Sequence, residues 1–158
     1  MRKRRYIPDL IEAMADCDAN YIRLMKLFGC NESAEVVAMG IPGAGTSEIV
    51  LELRVEERCP YTTMVSLQVS AEQQSPWLRW PAMEIRIYHD VKSAEVVSVA
   101  EHKRLAYRYD YPNPAMYQPD EKCQVNRYLG ELLSFCLRHG HALAHQATDQ
   151  LYASGPGR

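Results

Sequence analysis

From Glu35 to Ala100 apolar side chains recur at every second position in five successive runs, with no helical period between them. A strand sends successive side chains to opposite faces, so this period means a sheet buried on one face and wetted on the other. The clearest run sets Ile49, Leu51, Leu53 and Val55 on one side and Glu48, Glu52, Arg54 and Glu56 on the other. Glu35 to Met39 precedes it, and Thr63, Val65, Leu67, Val69 and Ala71 repeat it; Met83, Ile85 and Ile87 and then Ser93 to Ala100 follow. Parallel neighbours would need long crossovers, so five short strands in sequence predict an antiparallel sheet. The glycines of Pro42 to Gly45 suit a hairpin turn. No lysine follows them and the next segment reads as a strand, so they do not form a phosphate loop.

A helical period appears only at the two ends. Asp9 is placed to cap a helix in which Leu10, Met14, Cys17, Tyr21, Leu24 and Phe28 make one apolar stripe, and Gly29 can end it in a left-handed conformation. Asp120 is an N-cap candidate for a second helix, with Glu121 favourable at the positive end of its dipole. Val125, Leu129, Leu132, Leu133, Cys136 and Leu137 are its expected buried face, and Gly140 its stop. Glu101 to Arg104 reads as a charged loop, and a weak helical pattern follows Gly140. The expected fold class is α+β: a curled antiparallel sheet of about five strands flanked by an N-terminal and a C-terminal helix. One such domain spans residues 1–150, and SGPGR closes a disordered tail at 151–158. With 158 residues, 47% of them hydrophobic, a chain can bury roughly 70% of its unfolded surface without a metal or disulfide staple.

The net charge is −2, and Arg2, Lys3, Arg4 and Arg5 carry four of the 18 basic residues, so residues 6–158 hold 14 basic against 20 acidic side chains. That body should repel nucleic acid, and the short basic cluster reads as a solvated terminus. The acids of PDLIEAMADCDAN interrupt what a signal peptide would keep apolar, and no window is long and apolar enough to span a membrane. Five widely spaced cysteines with no C-x-x-C pair indicate reduced thiols and a cytoplasmic location.

Candidate functional residues fall into three groups. Arg86, Tyr88, His89, Asp90, Arg108, Asp110, Asn113 and Lys122 could bind a small anion such as a nucleotide, since guanidinium groups grip phosphate and aromatic faces accept bases. The competing expectation is a structural network in which Arg86 pairs with Glu95, and Arg108 with Asp110 or Asp120. Trp77 and Trp80, in a loop held irregular by two prolines, either cover an end of the core or join Tyr109 and Tyr111 in a contact surface for a protein. Catalysis would draw on His89, Asp90, Asp110, Asp120 and Glu121, but no nucleophile elbow or P-loop accompanies them, and no residue is assigned as catalytic. Cys123, Cys136, His139, His141 and His145 cluster in sequence, yet Cys136 lies on the apolar stripe, and neither a metal nor another cofactor is expected.

Several longer stretches carry a resemblance. Tyr61-Thr62-Thr63, Met83-x-x-Arg86-x-Tyr88-His89-Asp90 with Ala94-Glu95-Val96, Arg108-Tyr109-Asp110-Tyr111-Pro112-Asn113, Asp120-Glu121-Lys122-x-Gln124-x-Asn126 and Cys136-Leu137-x-His139-Gly140 resemble the YqiB-like family of small proteobacterial proteins. The resemblance covers most of residues 6–140 and implies a domain of unknown function, encoded beside nucleotide hydrolases. The expectation drawn from residues and resemblance together is a non-enzymatic binding or regulatory module that meets an unidentified protein partner, with a small anionic ligand as the alternative.

Overall fold

The computed structural model describes residues 9–29, 33–43, 45, 47–71, 82–99, 103–104 and 120–143. All five predicted strands form within them: β1 (Val36–Pro42), β2 (Glu48–Arg58), β3 (Thr62–Ala71), β4 (Met83–Tyr88) and β5 (Ser93–Val99). Each pairs antiparallel with its neighbour in sequence. Two-residue strands extend the edges, β6 (Lys103–Arg104) on β5 and β7 (His141–Ala142) on β1, in the order β6-β5-β4-β3-β2-β1-β7. Both fall where a charged loop and a weak helix were expected. A strand edge offers unpaired amides and carbonyls to any short extended segment beside it, whatever that segment's side chains.

Helices α1 (Leu10–Phe28) and α2 (Glu121–His139) pack on each other, and α2 touches both β1 and β5. Those two strands would lie roughly 19 Å apart in a flat sheet, against a helix diameter of about 10–12 Å. The sheet therefore curls around the helices and remains open at its edges. Leu51, Leu53, Val65, Leu67, Ile85 and Ile87 meet Leu24 of α1 and Leu129 and Leu133 of α2 in one core.

Two bulges adjust the strand period. In β5, Ile85 pairs with Val96 but Glu84 pairs with Ser98. The extra residue lets Val96 and Val99, three apart, both pack on the core. In β2 the same device between Val55 and Glu57 turns Glu56 to accept from the Ser66 hydroxyl at 2.6 Å.

The helices start and stop where the sequence places them, with different details. Asp9 caps α1 through amides of Ile11 and Glu12, and Gly29 takes φ +64°. Asp120 makes no side-chain cap bond; its carboxylate accepts from Gln124 instead. Gly140 ends α2 in an extended conformation at φ −79°. A Cβ there would come within 2.5 Å of the Cys136 carbonyl oxygen, so it is crowding and no left-handed turn that calls for glycine.

Both buried stripes keep most of the expected residues, with Cys17, Leu24, Leu129, Leu133 and Cys136 buried and Tyr21, Phe28, Val125 and Leu132 packed against them, but each gains polar members and loses an apolar end. On α1 the buried line is Ala13, Cys17, Asn20 and Leu24, while Leu10 and Met14 are 60% and 66% exposed. On α2 it is Lys122, Asn126, Leu129, Gly130, Leu133 and Cys136, and Leu137 is exposed. The polar members meet at the helix interface, where Asn20 Nδ2 donates to the Asn126 backbone carbonyl at 2.9 Å.

Candidate functional site

Arg86 and Tyr88 point to the outer face of the sheet, opposite the helices, because Met83, Ile85 and Ile87 take the core side of β4. There they line a shallow depression of about 240 Å³ together with Glu57, Cys59, Thr62 and Met64. The Tyr88 hydroxyl donates to Glu95 Oε1 at 2.9 Å, and the other Glu95 oxygen meets Lys122 Nζ at 2.9 Å. Burial, then the bond and charge of Glu95, push the Tyr88 pKa up, and nearby Arg86 pulls the opposite way. Arg86 and Glu95 do face each other in the β4–β5 register, but the carboxylate is bonded by Tyr88 and Lys122. Lys122 is buried and serves as the pin that ties α2 to β5.

His89 leaves this group. Its Nε2 lies 2.8 Å from the hydroxyl of buried Thr63 on the core side, its amide donates to the Tyr61 carbonyl, and its ring meets Tyr21 of α1 edge-on at 6.1 Å. Asp90 stands exposed at the tip of the β4–β5 hairpin. The candidate anion residues thus divide between the two faces of the sheet. Arg108, Asp110, Asn113, Trp77, Trp80, Tyr109 and Tyr111 lie outside the described residues.

Asn126 organises the junction of α2 with the sheet. Its Oδ1 accepts from the Val96 amide at 2.8 Å, its Nδ2 donates to the Lys122 carbonyl at 2.9 Å, and its own carbonyl accepts from Asn20 Nδ2 at 2.9 Å. A side chain of α2 thereby satisfies a strand amide just where β6 stops pairing with β5.

The larger concavity lies between the helices and has a volume of about 380 Å³. Its α2 wall carries Arg127, the adjacent pair Gly130 and Glu131, Ser134 and Arg138, which share one helical face. Asp16 and Arg23, seven apart, form the α1 wall. Gly130 leaves room here: a Cβ would stand 2.9 Å from both Arg23 Nη1 and Asn20 Oδ1 and would oblige those side chains to shift. Arg23 donates to Asn20 at 2.9 Å, and Arg127 pairs with Glu12 at 2.9 Å and lies 3.9 Å from Asp16. Arg138, His139 and Phe135 are exposed at the rim, the two rings 4.9 Å apart and tilted by 48°. Tyr128 of α2 has its hydroxyl pKa raised by burial and by Glu131. The sequence reading singled out none of these groove residues as a site; the available signal was Gly130, a helix breaker in mid-helix between two arginines.

Of the cysteines and histidines that cluster in sequence, His145 lies outside the described residues. Cys136 is fully buried, and that burial pushes its thiol up to about 11. Burial, then Asp120, raises Cys123 as well. His141 meets Glu48 at 2.9 Å across the sheet edge. Among the described residues no group of three His, Cys, Asp or Glu side chains is placed to hold a metal ion, and no helix is long and apolar enough to cross a membrane.

The geometry defines a small α+β domain with an open, curled antiparallel sheet and a charged groove at its helical seam. The chain belongs to the family described as proteins of unknown function, DUF1249, whose model matches residues 23–142. It is 38% identical over 138 residues to the uncharacterized protein YqiB of Escherichia coli K12, covering 87% of this chain and 94% of that protein. The YqiB proteins of the O6:H1 and O157:H7 strains match to the same extent. No solved structure matches. Of the groove residues, only Asp16 lies outside the matched segment.

Proposed function

We propose that this protein is a non-enzymatic binding protein of the cytoplasm that takes a small anionic ligand in the groove between α1 and α2. The observation that supports it is the convergence of Arg23, Arg127 and Arg138 on one concavity of about 380 Å³, within the range of roughly 300–1,000 Å³ of small-molecule sites. Of the residues first considered for this role, Lys122 is engaged with Glu95 and His89 with Thr63. A thermal-shift screen of small charged metabolites tests the role. A binder should raise the melting temperature, and Arg138→Glu should abolish the rise. Hits that survive Arg138→Glu, or an empty screen, would overturn it.

A second reading, a regulatory contact with a protein partner, is favoured by the first turns of α1, where Leu10, Ile11 and Met14 are 60%, 82% and 66% exposed. Single exposed apolar side chains are ordinary, but three within five residues form a patch. A stoichiometric partner recovered from cells and lost on Ile11→Lys supports this contact. Recovery of the same partner by Ile11→Lys excludes it.

A further inference from the structure

We infer that the groove selects a phosphomonoester joined to a planar ring, with the phosphate held by Arg23 and Arg138 and the ring laid against Phe135. The inference rests on the binding role proposed for the groove and names its ligand class.

Charge sets the first half. The three guanidinium groups of the lining face two carboxylates, Asp16 and Glu131. Arg127 is turned toward Glu12 and Asp16, so one of those two negative charges is offset at that end and Arg23 and Arg138 are left to face the groove. Arg23 spends one Nη1 proton on Asn20 and has four more donors in its rigid fork. Arg138 stands exposed on the opposite wall. Two guanidinium forks on facing helices suit a tetrahedral dianion, which offers oxygens in more than one plane, better than a flat carboxylate, which one fork can saturate.

The rim sets the second half. Phe135 is 44% exposed, and its tilted contact with His139 fixes the pair as a wall at the Arg138 end of the groove. An aromatic face presented beside a cation at the mouth of a concavity favours a flat, polarisable group over an aliphatic one. Ser134 and Gly130, one turn apart between the arginines, keep the floor low enough for that group to lie down.

The test uses the full chain with three probes, phenyl phosphate, inorganic phosphate and phenol, titrated by isothermal calorimetry and by amide shift mapping. Phenyl phosphate should bind more tightly than either fragment and move the amides of residues 130–139. Arg138→Gln should weaken it about tenfold, the equivalent of one lost charge-assisted contact. Phe135→Ala should weaken phenyl phosphate about fivefold and leave inorganic phosphate unchanged. Both side chains are exposed, so neither variant threatens folding. Equal affinity for phenyl phosphate and inorganic phosphate, or indifference to Phe135→Ala, overturns the ring preference and with it the inference. If phenyl phosphate fails while another screened anion maps to the same amides, the ligand class is wrong and the groove's binding role stands; if no anion maps there, both fall.

Discussion

Replacing Asn126 with alanine should be among the most destabilising single changes in the helical layer, because Asn126 joins three elements while being 1% exposed. The substitution leaves the Val96 amide, which now donates to Asn126 Oδ1 at 2.8 Å, buried without its acceptor, at a cost of about 1–3 kcal/mol. It also removes the bond from Nδ2 to the Lys122 carbonyl, a net loss of about 1 kcal/mol. Alanine returns some of this through its helix propensity, roughly 0.6 kcal/mol. The sum is a loss of about 1.5–3.5 kcal/mol, which at this chain length lowers the melting temperature by roughly 4–12 °C. Urea unfolding should show the midpoint fall with the slope unchanged, and hydrogen exchange at the Val96 amide should quicken beyond the global change. Asn20→Ala removes a donor to a carbonyl that also lies within α2, so it should cost only about 1 kcal/mol. A variant Asn126→Ala within about 0.5 kcal/mol of the parent, with Val96 as well protected as before, would show that the network is incidental and that apolar packing alone seats α2.

Lys122→Met should destabilise by about 3 kcal/mol or more, since it strands a partly buried Glu95 carboxylate, and adding Glu95→Gln should recover part of that loss in urea unfolding. Among the described cysteines, exposed Cys59 should alkylate first at pH 8, and buried Cys17 and Cys136 only on unfolding, as followed by mass spectrometry. Because burial holds the Cys136 thiol at about 11, above its unfolded value of about 8.5, the stability it contributes is whole below pH 8.5. That contribution should fall away as the pH rises toward 11, which Cys136→Ala should flatten in thermal melts. Gly40→Ala should weaken the β1–β7 edge, because a Cβ would meet the His141 ring at 2.6 and 2.8 Å and collide with Glu48; faster amide exchange at Leu143, which bonds Ala38, reports it.

The sheet was legible because its strands are long alternating runs, and alternation depends on nothing but the pleat and one buried face. The helices were legible as helices for a similar reason, and so was most of the face each buries, Cys17 and Leu24 on one and Leu129, Leu133 and Cys136 on the other; the polar part of the seam was not. Leu10, Met14 and Leu137 belong to plausible apolar stripes, yet the seam follows Asn20, Lys122 and Asn126, residues that hydropathy assigns to solvent. A buried polar side chain has no periodic signature: it enters the core when a partner in another element satisfies it, and the partner of Asn126 is a strand amide thirty residues away. The same blindness hid the groove. Arg23, Arg127 and Arg138 look solvated one at a time, and they become a set only when two helices approach closely. Gly130 permits that approach, since any Cβ there would strike Arg23 and Asn20. A mid-helix glycine costs about 1 kcal/mol, and the space Gly130 leaves is the floor of the groove. Gly130→Ala is accordingly the change that separates helix stability from binding. It should gain intrinsic propensity while pushing the Arg23 fork off Asn20, so affinity for phenyl phosphate should drop several-fold more than Tm measurements of the free protein would suggest. An unchanged affinity would place the ligand away from Arg23.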